Sequence, residues 1–374
     1  MRGADLLTQT LAKAGVKLIF SLSGNQIMPI YDACIDAGIR IIHTRHEGAA
    51  VYMAEAYAQL TGEVAVAMVT AGPGFASGLG PLVTARASES PILLLSGDSP
   101  RSGDGRGCFQ ELDQVGISKP LTKLSLRPRT AENLGSDTAL ALRVAASGRP
   151  GPVHLALPFD LLNSKIGDLV LPAAQNFEPV VIAAGNQALA TIIDTLAAAE
   201  RPIVLTGPLL NPSRAPQIRH LAQALDAPVV AMESPRGLKD PSLGNFAAAL
   251  AQADVILSLG KIIDHTTGFG QPPAFGSESK ILVVDPDTGE LERARRALRS
   301  RLVLAHRADA DATARALISM AGATADRSAW RREVADAITY RFPEPKLTAG
   351  AAMHPAAVCA AVQRLLERAD DPLL

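Results

Sequence analysis

The sequence predicts an α/β protein of two domains, each a parallel sheet flanked by helices. Three observations carry that expectation. Short runs of Val, Ile and Leu alternate with helix-patterned segments almost throughout, as strand–helix repetition requires. The alternation is interrupted once, over residues 161–179, and then restarts. The chain's 374 residues exceed what one ordinary core organises.

The first residues, 1–17, read as an amphipathic helix with a lysine inside it, not as a signal peptide. Residues 16–22, 39–44, 64–70, 91–96 and 153–157 are apolar runs bounded by Gly, Pro or polar residues, and are predicted to be buried parallel strands. Residues 28–36, 48–60, 75–88 and 131–147 are predicted helices between them. After the interruption, strands are expected at 203–206, 229–231, 255–259, 280–284 and 302–305. Helices are expected at 216–225, 243–253, 309–320 and 327–341, with a last one at 354–369. The expected domains are 1–165 and 186–325, joined by a linker at 166–185 and followed by a helical tail at 326–374.

Composition excludes several classes. With 36 basic and 37 acidic side chains the net charge is −1, and aromatics are 4% of the chain. Nucleic-acid binding normally needs a basic face or stacking aromatics, so neither duplex nor single-strand binding is expected. Cys34, Cys108 and Cys359 form no CxxC pair, zinc spacing or disulfide framework. No apolar run reaches the roughly 20 residues that span a bilayer. A cytoplasmic protein is expected.

The segments that carry chemistry lie where strands meet helices. In Thr44-Arg45-His46-Glu47-Gly48-Ala49-Ala50, a glutamate opens an apolar helix. It reads either as a helix-start carboxylate favoured by the macrodipole or as a partly buried carboxyl needing a partner or a shifted pKa. In Val69-Thr70-Ala71-Gly72-Pro73-Gly74, the two glycines permit close backbone approach and the proline stiffens the turn. Gly107-Cys108-Phe109-Gln110-Glu111-Leu112-Asp113 is a polar loop after the fourth strand.

Together with FSLSGN (20–25), SPILLLSGD (90–98) and SGRPGPVHLALP (147–158), these segments stand in the order and spacing of a known family. The chain resembles the thiamine diphosphate enzymes of the acetolactate synthase type over about its first 165 residues. The resemblance is weaker in the second half, through ADVILSLG (253–260) and ILVVDPD (281–287). It implies a thiamine diphosphate-binding fold followed by a Rossmann-like central domain. It implies that Glu47 hydrogen-bonds N1′ of the cofactor's aminopyrimidine, drives it to the imino form and so promotes an ylid that attacks a 2-oxo acid. Gly24 and Asn25 would lie by the thiazolium, Thr70, Gly72, Pro73 and Gly74 by the pyrimidine, and Phe109 and Gln110 near the reacting carbon. The implied chemistry is decarboxylation with C–C bond formation, as in branched-chain amino acid biosynthesis. A 2-hydroxyacyl-CoA lyase, a 2-oxo acid decarboxylase and a non-catalytic subunit retaining the fold are the alternatives.

The chain departs from the acetolactate synthase pattern at several positions. Gly24-Asn25 replaces a Gly-Gly pair, Leu22 an aromatic and Ser77 an asparagine. Lys261-Ile262-Ile263-Asp264-His265 stands where those enzymes carry an arginine-rich flavin-contacting run. FAD, another nucleotide or CoA, or nothing at all are therefore the open occupants of the central domain.

The family's Mg²⁺ and diphosphate are held by a third domain with a Gly-Asp-Gly and a later Asn. Gly103-Asp104-Gly105 and Asn133 imitate that motif, but they lie in a polar loop and at a helix start, and are read as coincidence. No metal ligand is assigned. His43 and His46 lack a third ligand, His265 reads as loop filler, and the arginines of 293–301 read as a solvated helix face. The expectation is a pyrimidine-side and central portion whose diphosphate-binding domain lies on another chain or is missing, with 326–374 a helical linker and the start of that truncated domain. The partners expected are a 2-oxo acid or 2-hydroxyacyl substrate and a second copy or partner chain, because the family's sites form between subunits.

Overall fold

The structure is a computed structural model, and it describes residues 1–167, 170–208, 216–322, 326–343 and 354–371. Two all-parallel sheets organise it. The first contains β1 (Leu18–Ser21), β2 (Arg40–His43), β3 (Ala65–Val69), β4 (Ile92–Asp98), β5 (Ser125–Leu126) and β6 (Val153–Pro158) in the order β2-β1-β3-β4-β6-β5. The second contains β7 (Pro202–Thr206), β8 (Val229–Ala231), β9 (Val255–Leu259), β10 (Lys280–Asp285) and β11 (Leu302–Arg307) in the order β11-β10-β9-β7-β8.

The apolar runs follow from burial on both faces. Side chains alternate across a strand, so Val66, Met68, Leu93 and Leu95 pack on one side of the first sheet with helices α1 (Gly3–Lys13) and α2 (Met28–Ala37). Ala65, Ala67, Val69, Ile92 and Leu94 pack on the other side with α3 (Glu47–Thr61), α4 (Pro73–Ser77) and α5 (Leu79–Ala87). The short α6 (Gln114–Ser118) and the long α7 (Asn133–Ala146) complete the first half.

Several elements differ from the sequence expectation. The helix expected over 75–88 is two, broken at Gly78, whose N–H bonds back to the Phe75 carbonyl. The helix expected over 243–253 shortens to Phe246–Leu250 because Gly244 turns at φ 52° against the carbonyls of residues 337–340. β5 has two residues and no periodicity to read, and the helix Asn186–Ala197 was not foreseen. The helix Ser328–Thr339, expected within the tail, docks on the second sheet. There Trp330 is buried and its Nε1 donates to the Pro202 carbonyl at 2.9 Å. The last helix, Pro355–Leu366, exposes Val358, Val362 and Leu365.

His154 shows how a polar side chain is accommodated in the first sheet. It is fully buried, with Nε2 2.8 Å from Ser96 Oγ and Nδ1 2.8 Å from Ser118 Oγ. Burial pushes its pKa down to about 3, whereas in the unfolded chain it titrates near 6.5. Between those values the unfolded state holds a proton that the folded state does not. Stability is therefore full above about 6.5 and falls by about 1.4 kcal/mol per pH unit as pH drops toward 3. Urea unfolding across that window is expected to show the slope, and His154→Gln to flatten it by one proton. An unchanged slope in the variant would assign the acid sensitivity to other groups.

Candidate active site

Sheet order places the site. β1 runs to β2 on one side and the chain returns to β3 on the other, so the connections diverge between β1 and β3. Crevices outside the carboxyl ends of strands at such a switch point are where open α/β sheets bind ligands. The loop after β1 brings Gly24, Asn25 and Gln26. The loop after β2 brings Glu47, the loop after β3 brings Thr70 to Gly74, and the loop after β4 brings Phe109 and Gln110.

The loops touch closely. A Cβ on Gly24 would lie 2.3 Å from Thr70 Cβ, so only glycine allows the β1 and β3 loops to meet. Gly72 adopts φ 58°, in the region L side chains rarely visit, and a Cβ there would lie 2.9 Å from Gln110 Cβ. Gly74 abuts both Thr70 and Glu47, whose Oε1 would be 3.5 Å from an added Cβ.

Glu47 is the first residue of α3. It follows the N-cap His46, whose Nδ1 accepts the Gly48 N–H at 3.0 Å. The carboxyl is half-buried, at the positive end of a 15-residue helix dipole, and makes no hydrogen bond among the described residues. A carboxyl so placed can exchange a proton with a nitrogen base seated in the cradle.

Gln26 was not singled out from the sequence, yet it is the buried centre of the cradle, 5% exposed. Its Oε1 accepts from Thr70 Oγ1 at 2.7 Å, and its Nε2 donates to Gln110 Oε1 at 2.9 Å. The only sequence signal was its place directly after Gly24-Asn25. Pro73 and Asn25 are exposed at the rim, and Phe109 is 74% exposed. Glu47, Gly24, Thr70, Gly72, Gly74 and Gln110 are thus brought together, while Phe109, Asn25 and Pro73 stand at the open edge.

The Gly103-Asp104-Gly105 run is committed elsewhere. Asp104 pairs with Arg127 at 2.7 Å, which holds its carboxyl below the usual range. The N–H groups of Gly105, Gly107 and Cys108 converge on the Glu111 carboxylate, which those bonds also hold low. Glycines at φ 75° and 73° wrap the loop around Glu111 and so aim Phe109 and Gln110. Asn133 starts α7 and accepts from Thr130 Oγ1 at 3.1 Å. Among the described residues no group of three or more His, Cys, Asp or Glu side chains could hold a metal ion.

The second sheet has its own switch point, between β7 and β9. Beside it lies a cavity of about 470 Å³ lined by Ser88, Lys261, Asp264 and His265 among others. Lys261 is buried, which pulls its pKa down, and its ammonium has no hydrogen-bond or ion-pair partner among the described residues. Asp264 instead caps the following turn by accepting the Thr266 N–H at 2.9 Å.

Comparison with known proteins places this arrangement. Residues 1–117 match the model of the thiamine pyrophosphate enzyme N-terminal TPP binding domain, and residues 189–317 match that of the central domain. The chain belongs to the thiamine pyrophosphate enzyme family. It is 32% identical over 378 residues to an acetolactate synthase large subunit of Mycobacterium tuberculosis, covering 98% of this chain and 67% of that one. It is 32% identical over 329 residues to a 2-hydroxyacyl-CoA lyase 2 of Danio rerio, covering 77% of this chain and 53% of the relative. The chain thus spans about half the length of the lyase relatives it matches. A solved thiamine diphosphate-dependent 4-hydroxybenzoylformate decarboxylase from Rhodococcus jostii RHA1 shares the fold. Its TM-score is 0.74 at 23% identity, covering 97% of this chain and 69% of that one. Among the described residues of this thiamine pyrophosphate family member, no helix is long and apolar enough to cross a membrane.

Proposed function

We propose that this chain supplies the pyrimidine side of a thiamine diphosphate site in an acetolactate synthase-like enzyme acting on 2-oxo acids. The observation that carries the reading is the Glu47 carboxyl, which makes no hydrogen bond among the described residues, beside Gly74 in a cradle whose loops close together through Gly24, Gly72 and Gly74. The residues present fit the cofactor. Thr70, Gly72, Pro73 and Gly74 would line its pyrimidine, and Gly24 and Asn25 its thiazolium. Glu47 would hold a proton at its carboxyl oxygen. When bound, thiamine diphosphate supplies the nucleophile and electron sink for bond changes beside a carbonyl. Phe109 and Gln110 would flank the reacting carbon.

The diphosphate and Mg²⁺ are then held by groups other than this cradle, on a second copy, a partner chain or a further domain. The Lys261 cavity suits the phosphates of a nucleotide such as FAD, with the ammonium as its cation.

A second reading, a 2-hydroxyacyl-CoA lyase, draws on the lyase relatives. Substrate consumption tests the choice. The chain assembled with a diphosphate-binding domain, thiamine diphosphate and Mg²⁺ is expected to decarboxylate pyruvate and join two carbon units. Cleavage of a 2-hydroxyacyl thioester without pyruvate turnover would replace the synthase reading with the lyase one.

A further inference from the structure

We propose that Gln26 is a positioning residue that sets which end of the Gln110 carboxamide faces the reacting carbon. The inference rests on the thiamine diphosphate reading of the cradle and adds to it the chemistry of substrate recognition.

Hydrogen-bond direction decides which end of Gln110 is left free for a ligand. A glutamine amide has one end that only accepts and one that only donates. The Thr70 hydroxyl donates to Gln26 Oε1 at 2.7 Å, so the accepting end of Gln26 is engaged. Its donating end, Nε2, therefore turns to Gln110 and meets Oε1 at 2.9 Å. That in turn engages the accepting end of Gln110. Gln110 Nε2 has no hydrogen-bond partner among the described residues and is the end left for a ligand. A neutral N–H donor at that place suits the carboxylate or carbonyl oxygen of a 2-oxo acid, and it adds no charge beside Glu47.

The relay is held on every side. Gln26 is buried, and Gly97 gives its stem room, since a Cβ there would lie 2.6 Å from Gln26 Cβ. The Gly97 carbonyl is itself pinned by Gln114 Nε2 at 2.9 Å. Gln110 sits at φ 61°, an uncommon backbone for a non-glycine residue, over the bare face of Gly72. The side chain is thus delivered by a specific loop conformation, and among the described residues its amide bonds only to Gln26.

Steady-state kinetics of the assembled holoenzyme with a 2-oxo acid test this, beside the thiamine diphosphate affinity and Tm of each variant. Gln26→Met keeps the length and removes the relay. It is expected to raise KM about 10-fold, as loss of one oriented hydrogen bond to a charged group would, with kcat and cofactor affinity within about threefold. Gln26→Glu offers only acceptors, so Gln110 must turn its Nε2 inward and show Oε1 to the substrate. Its KM is expected to rise further than that of Gln26→Met. If Gln26→Met does not fold, Gln26→Asn keeps the amide but cannot span both partners, and the same KM rise is expected. Unchanged KM in the variants, or cofactor affinity falling in step with KM, would overturn the positioning role. A wild-type holoenzyme that binds no thiamine diphosphate or turns over no 2-oxo acid would instead overturn the underlying reading.

Discussion

Glu47→Gln is expected to lower kcat of the assembled enzyme at least about 100-fold, the scale of a lost general acid/base contribution. The substitution is nearly isosteric, so the place beside Gly74 and the start of α3 survive it. What it removes is the carboxyl's capacity to hold and hand over a proton. The half-buried site and the helix N-terminus cannot restore that capacity, because an amide does not titrate. The loss should fall on kcat, with the folded stability of the chain unchanged, and pre-steady-state turnover measured beside thermal unfolding separates the two. Undiminished turnover in Glu47→Gln would remove Glu47 from the chemistry.

Arg149→Met is expected to cost about 3–5 kcal/mol of stability, the usual consequence of removing one partner from a buried ion-pair network. Arg149 lies in the loop between α7 and β6 and joins the two halves of the structure. Its guanidinium pairs with Glu89, after α5, and with Asp285, at the end of β10, and both carboxylates are almost completely buried. Burial already pushes the Asp285 carboxyl above the ordinary carboxylate range despite the neighbouring guanidinium. Without Arg149 both carboxylates lose that cation, so the folded state of the variant takes up protons more readily than its unfolded state. A raised carboxyl pKa favours the folded state as pH falls, so the deficit of the variant relative to wild type should narrow in acid. The His154 penalty is common to both proteins and cancels. Urea unfolding of the pair at neutral and acidic pH measures this, and a deficit under about 1 kcal/mol would show that the pairing carries little of the coupling.

Part of this fold and site is legible in the sequence and part is not. Runs such as Ile92–Leu95 are legible because both faces of the strand are covered, and β7, β9 and β10 are legible for the same reason. Two-residue β5 has no pattern to read. The break at Gly78 depends on a local hydrogen bond to Phe75 that composition does not announce. In the site, Glu47, Gly24, Gly72 and Gly74 were visible because each sits at a strand–helix junction where its residue type is unusual. Gln26 was not, since its meaning comes from partners 44 and 84 positions away that only the sheet order brings together. Arg149 was hidden for the same reason, with partners 60 and 136 positions distant. The Gly-Asp-Gly run misleads in isolation because its Gly105 N–H serves Glu111 and its Asp104 serves Arg127.

The central claim is that this cradle forms one side of a thiamine diphosphate site and needs a second side from elsewhere. Isothermal titration of thiamine diphosphate with Mg²⁺ tests it most directly, first into this chain alone and then into the chain mixed with a diphosphate-binding domain. Weak or no binding by the chain alone, and tight binding with turnover by the mixture, is the expected result. Tight binding and turnover by the chain alone would contradict the claim.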